Sequence, residues 1–127
     1  MTENEISYVV RQVLLGVHQE YGPGLFESIY EKVMMVRLRD AGLKVQNQVP
    51  VYLDEDRLRD TIAFRIDILV EGKVIVELKA VEELAKVHFV QVRSYLMLTG
   101  LKLGLLINFN TDRILYKPGF NRIPNGL

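Results

Sequence analysis

Two carboxylates and a lysine interrupt two segments that are otherwise mainly apolar, like buried strands. Asp67 lies within TIAFRIDILV, and Glu77 and Lys79 lie within VIVELKA. Carboxylate oxygens suit hard cations such as Mg²⁺ or Mn²⁺, which keep water ligands and can share a substrate phosphate. The cation lowers the pKa of a bound water, and a nearby ammonium positions the attacking water or offsets charge building on phosphorus. This spacing therefore indicates metal-dependent hydrolysis of a phosphate ester.

Strand alternation decides which of these side chains can act together. In VIVELKA, Glu77 and Lys79 point to one face of the strand. In the preceding segment, Asp67 shares its side with Arg65, which is positioned either to bind phosphate or to pair with Asp67. The opposite side of that segment is predicted to be wholly apolar and consists of Ile62, Phe64, Ile66, Ile68 and Val70.

The turn between the two segments determines whether the carboxylates meet. A two-residue loop at Glu71 and Gly72 would place Asp67 and Glu77 on opposite sides of the sheet. A loop with an odd number of residues would place both on the same side. We predict a three-residue loop over 70–72, because glycine is favoured in the left-handed third position of such a turn. The carboxylates are then expected on the same side of the sheet.

Hydrophobic periodicity predicts the elements that position these residues. Helices are expected over 5–20, 25–41 and 81–99, and strands in KVQNQVPVYL, TIAFRIDILV, VIVELKA, LKLGLLINF and RILYK. Pro50 places its strand at a sheet edge. Three successive strands and a helical crossover predict an α/β fold, a mixed sheet flanked by helices in the order α-α-β-β-β-α-β-β. The second helix is expected to be buried through Phe26, Ile29, Val33, Val36 and Leu38.

Length and composition indicate a single domain over 1–127, since the 127 residues are 49% hydrophobic. No stretch is long and apolar enough to span a membrane, and the N-terminus lacks the basic start of a secretory signal. A soluble, cytoplasmic protein is expected. The absence of cysteine excludes disulfides and cysteine zinc sites. A domain of this size is also compatible with homodimerisation.

Charge is distributed unevenly although the net charge is zero. Residues 86–127 contain six basic side chains against Asp112 alone, and the acidic excess lies in 1–85. Zero net charge argues against binding nucleic acid by bulk electrostatics. The basic third fits a phosphate-facing side next to a carboxylate cluster, a surface for self-association, or ordinary solvated charge.

The spacing Asp67, nine residues, Glu77, Leu78, Lys79 is similar to the active-site motif of the PD-(D/E)xK nucleases, with Ile66 in place of the proline. GLFESIY, from Gly24 to Tyr30, resembles the signature of the small bacterial GxxExxY family within that superfamily. YGPGLFESIYEKV, VIVELKAVEEL and TGLKLGLLINFN extend the likeness along nearly the whole chain. The resemblance implies a restriction-endonuclease-like fold and a third acidic residue, Glu27, beside the metal.

QVRSY, from Gln91 to Tyr95, is similar to the Q-x-x-x-Y helix motif of RecB-like nucleases. His88, Gln91 and Tyr95 form a polar stripe on the predicted third helix. The resemblance implies that this stripe faces the carboxylates, with Gln91 ordering the site or contacting the substrate backbone. The candidate catalytic residues are therefore Glu27, Asp67, Glu77, Lys79 and Gln91, the metal ligands Asp67, Glu77 and Glu27, and the substrate-binding residues Arg65 and Tyr95.

The leading hypothesis is a Mg²⁺- or Mn²⁺-dependent nuclease acting on nucleic acid, with DNA favoured over RNA. The second is a binding or assembly module that keeps the nuclease fold without turnover. In the simplest alternative for the motif itself, Glu77 and Lys79 form an ion pair on a solvated face. Similarly, Glu27 and Glu31 could be acids that stabilise a helix N-terminus.

Overall fold

The computed structural model describes residues 1–127 and contains three helices and five strands. The predicted order α-α-β-β-β-α-β-β and the α/β class are confirmed. None of the helices is both long and apolar enough to cross a membrane. The elements are α1 (Glu3–Tyr21), α2 (Glu27–Asp40), β1 (Val45–Tyr52), β2 (Ile62–Val70), β3 (Val74–Lys79), α3 (Lys86–Thr99), β4 (Leu103–Asn108) and β5 (Phe120–Pro124).

The five strands form one mixed sheet in sequential order, β1-β2-β3-β4-β5. Neighbouring strands are antiparallel except β3 and β4, which are parallel because α3 crosses over between them. β1, which contains Pro50, is an edge strand as predicted. β3 is central, with five of its six residues buried, so its Glu77 enters the interior of the molecule.

Helices cover both sides of the sheet. α1 and α2 pack on one side, where 21 buried residues form the larger core, and α3 packs on the other over a core of six. α3 approaches β4 closely at Gly104, where a Cβ atom would lie 2.6 Å from Val92 Cγ1. This contact requires glycine at 104 and fixes α3 against the sheet.

The prediction of one continuous apolar face on β2 is wrong. Ile68 and Val70 belong to the α1/α2 core, whereas Ile66 belongs to the α3 core with Phe64 packed against it. The apolar side chains therefore change sides of the sheet at Asp67. β1 changes sides at the same level, because Val45 lies in the α1/α2 core and its later valines pack against the α3 core.

The predicted buried face of α2 is also largely wrong. Phe26 is 80% exposed and Val36 is 57% exposed, whereas Tyr30 is fully buried and stacks on Phe109 with ring centroids 3.8 Å apart. α2 has apolar residues around most of its circumference, so spacing alone did not select one face. The helix is turned so that Tyr30, Met34, Met35 and Leu38 are buried.

Two further boundaries differ from the prediction. α3 begins at Lys86 instead of 81, because the Asn108 side chain exchanges hydrogen bonds with the backbone of Val81 (3.1 and 2.9 Å) and holds that segment extended. RILYK is not a strand. Its Ile114 is buried in the α1/α2 core as part of a loop, and the final strand is FNRIP, after the Pro118 turn.

Candidate active site

The turn between β2 and β3 sets the register of the strands that carry the two carboxylates. Val70 pairs with Val74, so residues 71–73 form the loop between paired positions. The predicted odd loop is thus present, although it lies one residue later than 70–72. Gly72 is left-handed as predicted, with a φ of 64°, but it occupies the second position of the loop instead of the third, and Glu71 before it is also left-handed with a φ of 54°.

The carboxylates of Asp67 and Glu77 each accept a hydrogen bond from a backbone amide of the other strand. These bonds lie just beyond the last regular pair of β2 and β3. The last regular pair is Ile68 with Val76. One residue further, the Asp67 N–H donates to Glu77 Oε1 over 3.1 Å, and the Leu78 N–H donates to Asp67 Oδ2 over 2.9 Å. Side-chain oxygens satisfy two amides that would otherwise pair with backbone carbonyls. Each carboxylate is consequently fixed in place by a backbone amide.

The carboxylate pair, a buried Glu77 and a half-buried Asp67, has no compensating positive charge in contact. Glu77 is only 5% exposed, and no ion pair in the structure involves Asp67, Glu77 or Lys79. Burial raises the pKa of Glu77 to about 8, and the charge of Asp67 adds to the shift. Burial also raises the pKa of Asp67, against the effect of its hydrogen bond from Leu78. The pair therefore retains a proton near neutral pH unless a cation joins it.

A cleft of about 740 Å³ opens in front of Asp67, between the start of α2 and the β2–β3 strands. We call it the carboxylate cleft. Glu27, in the first turn of α2, accepts a hydrogen bond at Oε1 from the Ala80 N–H (3.3 Å). Glu77 lies behind Asp67 and does not line the cleft. The lining side chains with polar atoms are Glu27, Ser28, Glu31, Gln48 and Asp67.

The turn before α2 gives a physical reason for the GxxExxY spacing. Gly24 has a φ of 107°, which a residue with a side chain rarely adopts. The buried Tyr30 hydroxyl donates to the Gly22 carbonyl and accepts from the Leu25 N–H. Gly24 and Tyr30 thus maintain the turn, and Glu27 between them remains exposed toward the cleft.

Gln48 and Glu31 are site residues that the sequence reasoning missed. Gln48 Nε2 donates to Glu31 Oε1 over 2.7 Å and approaches Asp67 Oδ1 to 3.4 Å. Gln48 does so from a left-handed backbone conformation, with φ at 49°, which is uncommon outside glycine. The charge of Glu31 contributes to the raised pKa of Asp67. The available signal was only that Gln48 is polar, since its alignment with Asp67 depends on the β1–β2 register.

The predicted α3 stripe is not gathered at the carboxylates as a unit. His88 Nδ1 accepts from the Ala85 N–H (2.9 Å) and so caps α3, and Gln91 is exposed and does not line the cleft. Tyr95 stacks on Phe64, with centroids 3.9 Å apart. Burial, followed by the charges of Glu77 and Asp67, raises the pKa of Tyr95. Tyr95 is therefore the residue of the stripe that interacts electrostatically with the carboxylate pair.

Arg65 and Lys79 differ in their relation to the pair. Arg65 is exposed on β2 and forms no ion pair, so the suggested pairing with Asp67 is absent. Lys79 ends β3 and is half-buried, and its charge lowers the pKa values of both Asp67 and Glu77. The solvated Glu77–Lys79 ion pair is likewise absent. Lys79 acts on the carboxylates through the field of its charge, without contact.

A half-buried aspartate and a buried glutamate on the two strands of a β-hairpin, followed by a lysine, characterise this site. Comparison with protein families provides the deciding observation, because the family model of the PD-(D/E)XK nuclease superfamily matches residues 4–123. The chain belongs to the PD-(D/E)XK nuclease superfamily. Searches among curated proteins and among solved structures each found no match.

PD-(D/E)XK nucleases generally use divalent metals, and the donor atoms here fit that requirement in part. Asp67 and Glu77 supply oxygen donors with raised pKa values and no cationic partner, which suits a hard divalent cation. However, no group of three or more His, Cys, Asp or Glu side chains is gathered closely enough to form a complete metal site. Glu27 is therefore not preassembled with the pair as a third ligand. Mg²⁺ is commonly bound by only one or two carboxylates together with water and substrate phosphate.

Proposed function

We propose that this superfamily member is a metal-dependent nuclease that hydrolyses phosphodiester bonds in nucleic acid. The observation that supports this most directly is the buried Glu77 beside the half-buried Asp67, because a fold seldom keeps a buried carboxylate next to a second one without compensation. Both are held by backbone amides at the back of an open cleft. Such perturbed groups in a cleft are typical of functional sites.

Asp67 and Glu77 would hold Mg²⁺ or Mn²⁺, and Glu27 would support it from the facing wall of the cleft. When bound there, the cation supplies positive charge that offsets the charge developing on phosphorus. Lys79 would position or activate the attacking water, because its ammonium is close enough to lower both carboxylate pKa values yet has no ion-pair partner. Gln48, which contacts Glu31, would limit the movement of Asp67.

Arg65, Gln91 and Tyr95 are proposed to act on the substrate and not on the metal. The exposed side chains of Arg65 and Gln91 are free to contact phosphate or sugar groups of a bound strand. Tyr95 is anchored by its stack on Phe64 and would contribute a hydroxyl near the carboxylates. We place the chain in the GxxExxY branch of the superfamily, as a cytoplasmic protein that acts on DNA in preference to RNA and whose size is compatible with a homodimer.

The test is cleavage by purified protein of single-stranded and duplex DNA and RNA, with Mg²⁺ or Mn²⁺ and with EDTA. Glu77→Ala and Lys79→Ala should each abolish metal-dependent cleavage. A matched control is Glu82→Gln, which removes an exposed carboxylate that makes no hydrogen bond or ion pair. Cleavage at the wild-type rate by both alanine variants would refute the mechanism.

One observation favours a second candidate, a binding or assembly module without turnover. The carboxylates are not gathered into a complete metal site. Such a module would bind nucleic acid equally well with EDTA and with Mg²⁺, and would cleave none of the substrates. The cleavage assay therefore separates the two candidates.

A further inference from the structure

A second cleft, of about 530 Å³, lies between the first half of α1 and β5, away from the carboxylates. Three cationic side chains line it, and none of its lining residues is acidic. We call it the basic cleft. Its cations are Arg11 of α1, Arg122 of β5, and Lys117 of the loop that precedes β5.

Neutral acceptors hold the two arginines in position. Arg122 donates from Nη1 to Ser7 Oγ (2.9 Å) and from Nη2 to Asn4 Oδ1 (2.6 Å). Arg11 donates from Nη2 to the Leu115 carbonyl over 2.8 Å. Ser7 is only 3% exposed, so the exposed Arg122 side chain is anchored on a buried hydroxyl. Both guanidinium groups are therefore ordered without losing their net charge.

The positive charge of this cleft is not compensated within the chain. No ion pair in the structure involves any of its three cations. The two acids in the first turn of α1, Glu3 and Glu5, do not line the cleft, and Glu5 accepts from the Thr2 N–H. Arginine held by neutral groups keeps donors free for bidentate contact with a phosphate.

We propose that the basic cleft binds a phosphate group, carried by a nucleic-acid strand that also reaches the carboxylate cleft. Tyr8, which is 66% exposed, lines the cleft and offers a surface on which a base can stack. The cleft also accounts for part of the basic excess of 86–127, which contributes Lys117 and Arg122. The inference depends on the proposed function only in naming nucleic acid as the source of the phosphate.

The two clefts flank the α1/α2 layer. About 15 Å of helix axis separates Arg11 from Tyr21, the last residue of α1, and the chain then turns into the wall of the carboxylate cleft. A strand lying along this layer is the simplest ligand that meets both. The basic cleft would then increase affinity and set which part of the strand reaches the carboxylates.

The test measures binding of a fluorescein-labelled single-stranded oligonucleotide of about 12 nucleotides, by anisotropy in EDTA so that no cleavage occurs. The double change Lys117→Gln with Arg122→Gln should weaken binding about tenfold and reduce the slope of log Kd against log salt by about one. Arg39→Gln, at the exposed end of α2, removes one positive charge as Lys117→Gln does and is its matched control, and it should leave affinity within about twofold. Thermal unfolding reports folding of each variant, and Lys117→Gln alone remains informative if loss of the Arg122 contacts unfolds the protein.

Equal losses in the Arg39→Gln control, or unchanged binding in Lys117→Gln and in the double variant, would overturn the proposal. A parallel titration uses a 5′-mononucleotide. If the double change weakens only mononucleotide binding, the phosphate site stands and nucleic acid is overturned as its source. Because all binding is measured in EDTA, failure of the basic cleft is distinguishable from failure of metal-dependent cleavage.

Discussion

Two groups of site residues were predicted, the carboxylates of the β2–β3 hairpin and the polar stripe of α3. The structure brings only the first group together. On the hairpin, Asp67 and Glu77 are each held by a backbone amide of the other strand. On α3, Gln91 is exposed and His88 caps its own helix. The two residues of the hairpin motif form a pair, while the three residues of the stripe have separate surroundings.

The difference follows from how strands and helices fix their neighbours. Paired strands share a register, so a correct turn length determines which side chains meet. Helical spacing places residues on one face of a helix, but tertiary packing determines which way that face points. Contacts on the hairpin are accordingly more predictable than contacts on α3. Substitutions in the two regions should therefore differ in the size of their effects, which can be measured.

The largest expected effect is on the hairpin. Asp67→Asn preserves the side-chain shape but removes the carboxylate charge that lines the carboxylate cleft. Metal-dependent cleavage should fall by roughly 10²–10³-fold, the loss typical of removing a group that acts on transition-state charge. The measurement is kcat/KM on the preferred substrate, with Glu82→Gln as the matched control. A loss below about fivefold would place the chemistry elsewhere.

The pH dependence of stability should also depend on the hairpin. The folded pKa of Glu77, about 8, lies above its ordinary value of 4.5. Between these pH values the unfolded chain ionises while the folded protein keeps the proton, so the free energy of unfolding falls as pH rises. In the metal-free protein this contribution should be about 1–3 kcal/mol between pH 5 and pH 8.

Glu77→Gln should flatten that pH profile, whereas Gln91→Ala should leave it as in the wild type. Urea unfolding at several pH values, with EDTA present, measures both variants. Identical profiles for the wild type and Glu77→Gln would show that Glu77 is already ionised in the folded protein.

Tyr95 of α3 packs against Phe64 of β2 and should contribute mainly to stability through this contact. Tyr95→Ala removes the stack on Phe64 and should cost about 1–3 kcal/mol, while Tyr95→Phe keeps the stack and should cost less than about 1 kcal/mol. Chemical denaturation provides both values. Equal destabilisation by the two changes would mean that the hydroxyl, and not the ring, holds Tyr95.

The smallest effect is expected for Gln91. Gln91→Ala removes an exposed side chain, so stability should change by no more than about 0.5 kcal/mol. If Gln91 contacts the substrate backbone, KM should rise about three- to tenfold while kcat stays within twofold, because uniform binding is lost. A large fall in kcat would instead show that Gln91 moves to the carboxylates when substrate binds.

Sequence reasoning predicted the order of the elements, the edge position of β1 and the odd turn that joins Asp67 to Glu77. These features depend on local patterns such as Pro50 and Gly72. It did not predict that β1 and β2 change sides together at Gln48 and Asp67, because alternation assumes a regular strand.

Tertiary contacts account for the other differences. Tyr30 determines the buried face of α2 through its stack on Phe109, and Asn108 delays the start of α3 by holding Val81. Both partners lie far along the chain from the segments that they affect. Gln48 and Glu31 were missed for the same reason, since only the packed structure brings them beside Asp67.

The central claim is that Asp67 and Glu77 form the metal-binding centre. Calorimetric titration of Mn²⁺ into metal-free protein, in buffers that differ in ionisation enthalpy, tests it most directly. We expect the wild type and Glu82→Gln to bind Mn²⁺ with proton release near neutral pH, and Glu77→Gln to show no measurable binding. Binding of Mn²⁺ by Glu77→Gln with wild-type affinity and proton release would contradict the claim.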